Sequence, residues 1–320
     1  MGSDKPENFQ QREKEMKIFL VADIHLKTKD QFDLTNNIVS DRSIYKLKRL
    51  RELVEKEKPD ILIDAGDFYD SKMPSEPLRY AFFKVLDSFD IPVYLISGNH
   101  SQEHGFTAGT SESFLADKIT VVQPREVLVL DTFTLIGYCR DKEEFLKLCQ
   151  ENPNKYLVTH GDIPSENLPF EKCFFGHVHQ HYSIGNKYSI GALFTDSFGE
   201  ESYACMYCTI GTTVDFKEFP DQSIRTFNEL TEFEDGEYLA VRYKLKGKAK
   251  DFLGIDQEAI KRSYKKTKVF FDIELTEEEL VFDDSLSIEE IAQDFIENKG
   301  LSDKELKFGK LILQESGYDN

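Results

Sequence analysis

The histidines of this chain are confined to its first 181 residues, where five of them stand at the ends of short apolar runs. All seven fall between positions 25 and 181 of a 320-residue chain. The five runs, each with a polar end, are Lys17 to His25 (KIFLVADIH), Asp60 to Asp67 (DILIDAGD), Pro92 to His100 (PVYLISGNH), Lys155 to Asp162 (KYLVTHGD) and Lys172 to His179 (KCFFGHVH). A single loop carboxylate or histidine is common in any protein. Five such endings in one chain indicate a shared site.

The residue types at these ends indicate metal chemistry. Aspartate, asparagine and histidine ligands together suit divalent manganese, iron or zinc, and the set is too large for one ion. Two ions ~3.5 to 4 Å apart polarise a phosphoryl group and lower the pKa of a bridging water, which then attacks in line. The sequence therefore predicts two metals and hydrolysis of a phosphoester without a covalent intermediate.

The elements that would position these ends alternate between strand and helix. Continuous apolar runs of this length are typical of strands covered on both faces. Between them, Ser43 to Lys56 and Glu76 to Phe89 have the amphipathic spacing of helices. We therefore predict an α/β layered fold, with the site at the carboxyl ends of the strands. Alternating stretches at Glu126 to Tyr138 and Ser202 to Phe219 are expected to complete a second sheet.

The pattern changes near Pro220, where we place a domain boundary. The expected divisions are a charged tail at 1–16, a catalytic domain at 17–222, a small α/β capping domain at 223–284 and a helical partner-binding segment at 285–320. The last segment contains two predicted helices, Ser287 to Asn298 and Ser302 to Gln314. Their apolar faces fit either packing on their own domain or docking to a partner.

Composition limits the function classes. The net charge of -19 argues against a general nucleic-acid coat, because phosphate binding depends on Lys and Arg. No run reaches the ~18 apolar residues of a membrane span, and the first sixteen residues are charged where a signal peptide is apolar. We therefore expect a cytoplasmic protein that does not contact a membrane.

One basic stripe contrasts with this acidity. Val241 to Lys250 (VRYKLKGKAK) places bases at every second position, so on a strand they would share one face. They are Arg242, Lys244, Lys246, Lys248 and Lys250. The stripe fits a sequence-independent DNA contact, or alternatively an exposed edge strand whose lysines prevent edge-to-edge pairing.

The five motifs together resemble the calcineurin-like metallophosphoesterase superfamily, whose fold is a layered β-sandwich flanked by helices. The resemblance covers roughly Lys17 to His179. It implies that Asp23, His25 and His179 hold one metal, that Asn99, His160 and His177 hold the other, and that Asp67 bridges them. His100 would orient the scissile phosphate or protonate the leaving oxygen, with Asp70 or a neighbouring group supporting it.

Within that superfamily, Ala22 to Leu26 (ADIHL) and Tyr188 to Glu200 (YSIGALFTDSFGE) resemble SbcD-type subunits of the SbcCD double-strand-break nuclease. This implies DNA as substrate, an exonuclease or endonuclease role in repair or recombination, and an SbcC-like coiled-coil ATPase as partner. A homodimer is a further expectation. Manganese is the expected metal, with iron, zinc and magnesium as alternatives. Ser101 departs from the family, which has Asp or Glu there.

Two other functions fit parts of the sequence. A stand-alone phosphoesterase that acts on a nucleotide or other small phosphate would share every catalytic residue, but it would not explain the chain after Pro220. A non-catalytic scaffold would have kept the fold and lost the chemistry. The intact ligand set argues against the scaffold.

Overall fold

The computed structural model describes residues 16–100, 119–201, 203–221, 223–252 and 254–276. Three sequence features lie outside these residues: most of the charged tail at 1–16, Ser101 and the two predicted C-terminal helices. In chain order the strands are β1 Ile18–Val21, β2 Ile61–Asp64, β3 Val93–Ile96, β4 Ile119–Val122, β5 Val127–Val129, β6 Phe133–Ile136, β7 Tyr156–His160, β8 Lys172–Gly176, β9 Tyr182–Ile184, β10 Lys187–Ser189, β11 Cys205–Ile210, β12 Val214–Phe219, β13 Ile224–Phe227, β14 Ala240–Gly247 and β15 Lys268–Leu275. The helices are α1 Asp41–Glu57, α2 Glu76–Asp87, α3 Lys142–Glu151 and α4 Gln257–Ser263.

Two six-stranded sheets carry the five predicted runs. The first has the order β12-β11-β1-β2-β3-β4, and the second has the order β5-β6-β7-β8-β10-β9. Strands β1 to β4 are mutually parallel, as are β6, β7 and β8. Their carboxyl ends therefore meet at one edge of each sheet, where ligands of α/β folds bind. The predicted α/β layered fold is confirmed.

Apolar packing holds four layers together. Ile18, Ile63, Val158 and Phe174 belong to one buried cluster that lies between the two sheets. A second cluster joins the other face of the first sheet to α1 and α2, and a third joins the second sheet to α3. Both sheets are thus covered on each face, which explains why their central strands are apolar without alternation.

The helices follow local signals in the sequence. The Ser40 hydroxyl accepts a hydrogen bond from the Ser43 amide at the start of α1, and Pro77 occupies the first turn of α2. These two helices match their predicted ranges to within two residues. Helix α3, which begins after an Asp141 cap, was not predicted from the sequence.

One sheet assignment was wrong. The stretch Glu126 to Tyr138 does supply β5 and β6 to the second sheet. Ser202 to Phe219, however, supplies β11 and β12 to the first sheet, because β11 pairs antiparallel with β1 from Ile18↔Ile210 to Leu20↔Cys208. The pairing lets Tyr207 bury its side chain against the helices of the first sheet.

The chain divides into two compact units, 1–245 with 255–274 and 246–254 with 275–320. The third sheet, in the order β13-β14-β15, lies mostly in the first unit. There, Ile224 and Ala240 share a small buried cluster with Phe32. A separate capping domain at 223–284 stays a prediction, since residues 277–284 lie outside the described part of the chain.

The predicted strand at Val241 to Lys250 is too long. Strand β14 ends at Gly247, and residues 249–252 form a 3-10 turn. The Lys248 amide donates to the Asp251 carboxylate at 2.8 Å, which stabilises the turn and ends the strand. Positions 248 and 250 therefore lie beyond the strand that carries Arg242, Lys244 and Lys246.

Glu57, the last residue of α1, supports a stability prediction. Its carboxylate accepts hydrogen bonds from Lys17 Nζ at 2.7 Å, Lys217 Nζ at 2.8 Å and the Tyr207 hydroxyl at 2.8 Å. Burial alone would raise the pKa of Glu57, but these bonds lower it to about 2. We expect Glu57→Gln to lower the free energy of unfolding at pH 7 by about 2 kcal/mol, allowing for screening of the part-exposed lysines.

The pH dependence has a defined sign. A depressed pKa contributes stability above the unfolded value of about 4.5, and that stability is lost as the pH falls toward 2. Urea unfolding at pH 7 and pH 3 should therefore show the difference between wild type and Glu57→Gln shrinking at pH 3. Glu55→Gln, in an exposed pair on the same helix, is the control. If the difference in unfolding free energy between wild type and Glu57→Gln is the same at both pH values, the Glu57 charge does not stabilise the fold.

Candidate metal centre

The predicted ligands come together where the ends of the two sheets meet. Asp23 and His25 follow β1, Asp67 follows β2, and Asn99 and His100 follow β3, all from the first sheet. His160 ends β7, and His177 and His179 follow β8 in the second sheet. Groups that are more than 150 positions apart in the sequence, such as the Asp23 carboxylate and the His177 backbone amide, are in hydrogen-bond contact here.

Strained backbone marks the same loops. Among the described residues, six that are not glycine have a positive φ, and four of them are predicted ligands: Asp23, His25, Asp67 and His177. Such conformations cost energy and persist where the surrounding structure enforces them, often at functional sites. Gly98 shows how tightly the loops pack, since a Cβ there would lie 1.9 Å from Asp67 Oδ1.

Asp23, His25 and His179 form the first cluster, with ligand atoms within 4.8 Å of one another. The Nε2 atoms of His25 and His179 are 3.1 Å apart, and His25 Nε2 lies 3.9 Å from Asp23 Oδ1. The backbone amide of His177 donates to Asp23 Oδ2 at 2.9 Å, which ties this cluster to the second sheet. The grouping matches the ligand set that the resemblance implies for one metal.

Asp67, His160 and His177 form the second cluster, again within 4.8 Å. His160 Nε2 lies 3.1 Å from Asp67 Oδ2 and 2.9 Å from Asn99 Oδ1. Asp67 Oδ1 accepts from the His100 amide at 3.0 Å. Asp67 thus contacts groups from both sheets, the position that a bridging ligand requires. Its bridging role stays a prediction.

The electrostatics of these clusters fit cations. Burial would raise the pKa of Asp67 and lower that of His160, but their mutual attraction outweighs burial for both. It lowers the pKa of Asp67 to about 2 and raises that of His160 to about 9. The carboxylate therefore draws a positive charge onto a fully buried histidine. A bound divalent cation would supply this positive charge in place of the histidine proton, which the histidine releases when it binds a metal.

His100 lies at the edge of this centre, with a side chain 38% exposed. Its Nδ1 donates to the backbone carbonyl of Asp70 at 2.8 Å, which leaves Nε2 for a substrate. Asp70 Oδ1 also lies 3.4 Å from His25 Nδ1, and a hydrogen bond to His25 lowers the pKa of Asp70. His25, Asp70 and His100 themselves form a third possible ligand group. His100 is therefore placed either to act on the substrate or to bind a metal.

Glu200 contacts the centre but was omitted from our prediction of site residues. Its Oε1 accepts from His179 Nδ1 at 2.8 Å, and its Oε2 accepts from the Asp196 amide at 2.8 Å. A carboxylate on the far nitrogen of a metal-binding histidine fixes the ring and raises its basicity. The motif Tyr188 to Glu200, which carries part of the family resemblance, ends on this residue.

A buried charge network supports the loop that carries Asp23 and His25. Lys46 Nζ, on α1, donates to the carbonyl oxygens of Ile24 at 2.7 Å and His25 at 3.1 Å. It also pairs with Asp196 Oδ1 at 3.3 Å, and Lys27 Nζ pairs with Asp196 Oδ2 at 2.8 Å. Helix α1 thus holds the strained loop in place.

We expect Glu200→Ala to weaken manganese binding at the first cluster by roughly 10- to 100-fold, because His179 would lose its orienting partner. Titration of metal-stripped protein with Mn²⁺ measures this. Glu218→Ala, on the exposed side of β12, is the matched control. Equal affinities for the Glu200 variant and wild type would rule out the orienting role.

The basic stripe is partly engaged in internal contacts. The Arg242 guanidinium lies 4.8 Å from the Phe198 ring and donates to the Phe198 carbonyl at 3.2 Å. Lys244 is exposed on the same face of β14, whereas Val241, Tyr243 and Leu245 are buried. Arg242 and Lys244 therefore share a face that borders the loop containing Glu200.

Comparison with known proteins agrees with this centre. The profile of the calcineurin-like phosphoesterase family matches residues 16–202, more than half of the chain. The chain belongs to the calcineurin-like phosphoesterase family. It is therefore a metal-dependent phosphodiesterase, a hydrolase, as the sequence predicted, and the family's divalent metals fit the two clusters.

Individual relatives are more distant. The phosphoesterase is 24% identical over 293 residues to the SbcD subunit of the nuclease SbcCD from Staphylococcus epidermidis, and the match covers 73% of this chain and 76% of that protein. A crystal structure of Pseudomonas putida nuclease MPE is 18% identical, with a TM-score of 0.32, over 60% of this chain and 67% of that one. Among the described residues, no helix is long and apolar enough to span a membrane.

The geometry assigns tasks to the side chains of the phosphoesterase. The two clusters would hold divalent ions, which supply Lewis acidity and an activated water when bound. Asp23 and Asp67 would supply the negative charge that holds these ions. Glu200 orients His179, and Lys46 holds the loop of Asp23 and His25. The Asp70 carbonyl fixes the His100 ring through Nδ1, which leaves Nε2 for the substrate or for a metal.

Proposed function

We propose that this phosphoesterase is a manganese-dependent DNA nuclease of the SbcD type, which processes DNA ends in repair or recombination. The observation that carries the proposal is the convergence of seven predicted ligands at one centre, in a chain similar to a nuclease subunit over 73% of its length. That likeness extends beyond the 16–202 segment that the family profile matches. If the protein were an enzyme of small phosphates, the similarity to a nuclease subunit outside residues 16–202 would have no explanation.

The face of β14 supports DNA as the substrate. Arg242 contacts Phe198, two residues before Glu200, and Lys244 is exposed on the same face. Lysine and arginine beside a phosphodiesterase centre suit the DNA backbone, which carries regular negative charge and no sequence information. We include Lys246, Lys248 and Lys250 in the proposed DNA contact because they follow Lys244 closely in the sequence. Lysines that only protect an edge strand are the alternative.

We further propose an SbcC-like coiled-coil ATPase as partner, with a second copy of the chain in the assembly. The support is the similarity to the SbcD subunit of the nuclease SbcCD. The predicted helices at 287–298 and 302–314, outside the described residues, are the proposed dock for the ATPase.

Three substrates separate the candidate functions. Metal-stripped protein is supplied with manganese and assayed on linear duplex DNA, hairpin DNA and a chromogenic phosphodiester. A DNA nuclease cleaves at least one DNA substrate as well as the chromogenic one, a small-phosphate enzyme cleaves only the latter, and a scaffold cleaves none. Cleavage of the chromogenic substrate alone would overturn the nuclease proposal.

The basic stripe makes a separate prediction. Changing Lys244, Lys246 and Lys248 together to Glu should reduce duplex cleavage at least about tenfold more than chromogenic turnover, because only the duplex needs the backbone contact. The wild-type affinity for duplex should also fall steeply as salt rises, and less steeply in the variant. Lys147→Glu, exposed on α3, is the control. Equal losses on both substrates would indicate a damaged fold.

A further inference from the structure

A cavity of about 400 Å³ opens beside the second cluster. His160 and His177 line both the cavity and the cluster. A volume of this size is within the ~300 to 1,000 Å³ range of small-ligand sites. The cavity is therefore continuous with the centre where a scissile phosphate would bind, and whatever it holds lies next to that phosphate.

The wall of the cavity combines aromatic side chains with polar and charged groups. The buried Phe145 and Phe175 and the half-buried Tyr138 all line it, and the Tyr138 ring centroid lies 6.1 Å from that of His160. The Tyr138 amide donates to the Ser97 carbonyl at 2.9 Å, which anchors the turn after β6 to the end of β3. Opposite, Gly161 contributes no side chain, and a Cβ there would meet nothing within 4 Å.

The rim of the cavity carries charge of both signs. Arg140 and Lys142 are exposed there, and Asp162 lies 3.8 Å from His177 Nε2. Lys142 pairs with Glu166 at 2.7 Å, so Arg140 is the cation that remains for a ligand. Aromatic side chains in the wall with this cation beside them fit a flat ring joined to an anion. A nucleoside that carries a phosphate has this chemistry, because its base has an apolar face and its phosphate is anionic.

We propose that this cavity binds one unpaired nucleoside next to the scissile phosphate, with the base packed against Tyr138 and the flanking phosphate near Arg140. The inference rests on the proposed nuclease function and names its substrate class. A base within a duplex would have to leave its stack to enter, whereas a terminal or single-stranded base is already free. Overhangs and frayed ends are therefore the preferred substrates.

Competitive inhibition tests the cavity without relying on DNA cleavage. Deoxyadenosine monophosphate and inorganic phosphate are compared as inhibitors of manganese-dependent hydrolysis of the chromogenic phosphodiester. In the wild type the nucleotide should bind about 5- to 100-fold more tightly than phosphate, as expected for stacking of one base on an aromatic ring. Tyr138→Ala should remove most of this preference, and Tyr138→Phe should retain it.

A second cavity variant and a control variant distinguish a lost binding site from a damaged fold. Ser165→Trp, which introduces a large side chain at the cavity wall, should also abolish the preference. Tyr80→Ala, at an exposed tyrosine of α2, should leave it at the wild-type value. Equal affinities for nucleotide and phosphate in the wild type would overturn the proposal, as would a preference that survives both Tyr138→Ala and Ser165→Trp.

The outcome is separable from that of the nuclease proposal. If the wild type cleaves DNA but shows no nucleotide preference, the nuclease function stands and the cavity assignment fails. If it prefers the nucleotide, loses that preference in Tyr138→Ala and yet cleaves neither linear duplex nor hairpin DNA, the cavity stands as a nucleotide site and the nuclease function fails.

Discussion

Replacing Asp67 with alanine should reduce phosphodiester hydrolysis by roughly a thousandfold or more, and excess manganese should not restore it. Asp67 contacts His160 from the second sheet and the His100 amide from the first, so its loss would remove the carboxylate that joins the loops of the two sheets. Bound metal supplies several kcal/mol of transition-state stabilisation, which corresponds to this factor. Turnover of the chromogenic phosphodiester against manganese concentration measures the effect.

Asp131→Ala, at an exposed turn between β5 and β6, is the control for Asp67→Ala. It should behave as the wild type. Activity of Asp67→Ala within a few fold of wild type would contradict the assignment of two metals. Recovery at high manganese would show that Asp67 only strengthens binding and does not bridge.

Replacing His100 with alanine should lower the rate by about 100-fold or more while leaving metal content unchanged. A positioned acid contributes ~10² to 10⁴ to the rate, and the Asp70 carbonyl fixes the His100 ring with Nε2 available. The structure also groups His100 with His25 and Asp70 as a possible third set of ligands. Metal content measured together with turnover distinguishes the two roles.

His181→Ala is the matched control, because His181 bonds to the Ser189 carbonyl and belongs to none of the possible metal-ligand groups among the described residues. It should keep both metal and rate. If His100→Ala loses one ion per chain, then His100 is a ligand and the proposed division of roles is wrong.

Much of the fold was predictable because its central strands are covered on both faces. That burial leaves continuous apolar runs, and each run ends where polar residues begin, so β1, β2, β3, β7 and β8 were all found from the sequence. The helices α1 and α2 were found because their apolar residues recur at helical spacing. These are local signals, and local signals can be recognised in one sequence.

Other features depend on contacts between distant segments. Strand β11 joins the first sheet by pairing with β1, which lies almost 190 positions earlier, and nothing local specifies that partner. Glu200 acts on His179 across 21 positions, and Lys46 reaches the loop of His25 from a helix. The turn after Gly247 is held by hydrogen bonds in both directions between Lys248 and Asp251, which the strand-like alternation of the sequence does not reveal.

Binding stoichiometry for manganese tests the central claim most directly. Metal-stripped wild-type protein is titrated with Mn²⁺, and free ion is followed by electron paramagnetic resonance until binding saturates. Two ions per chain are expected, one for each cluster, with hydrolysis rising as the second ion binds. Saturation at one ion per chain with full activity would contradict a two-metal phosphodiesterase.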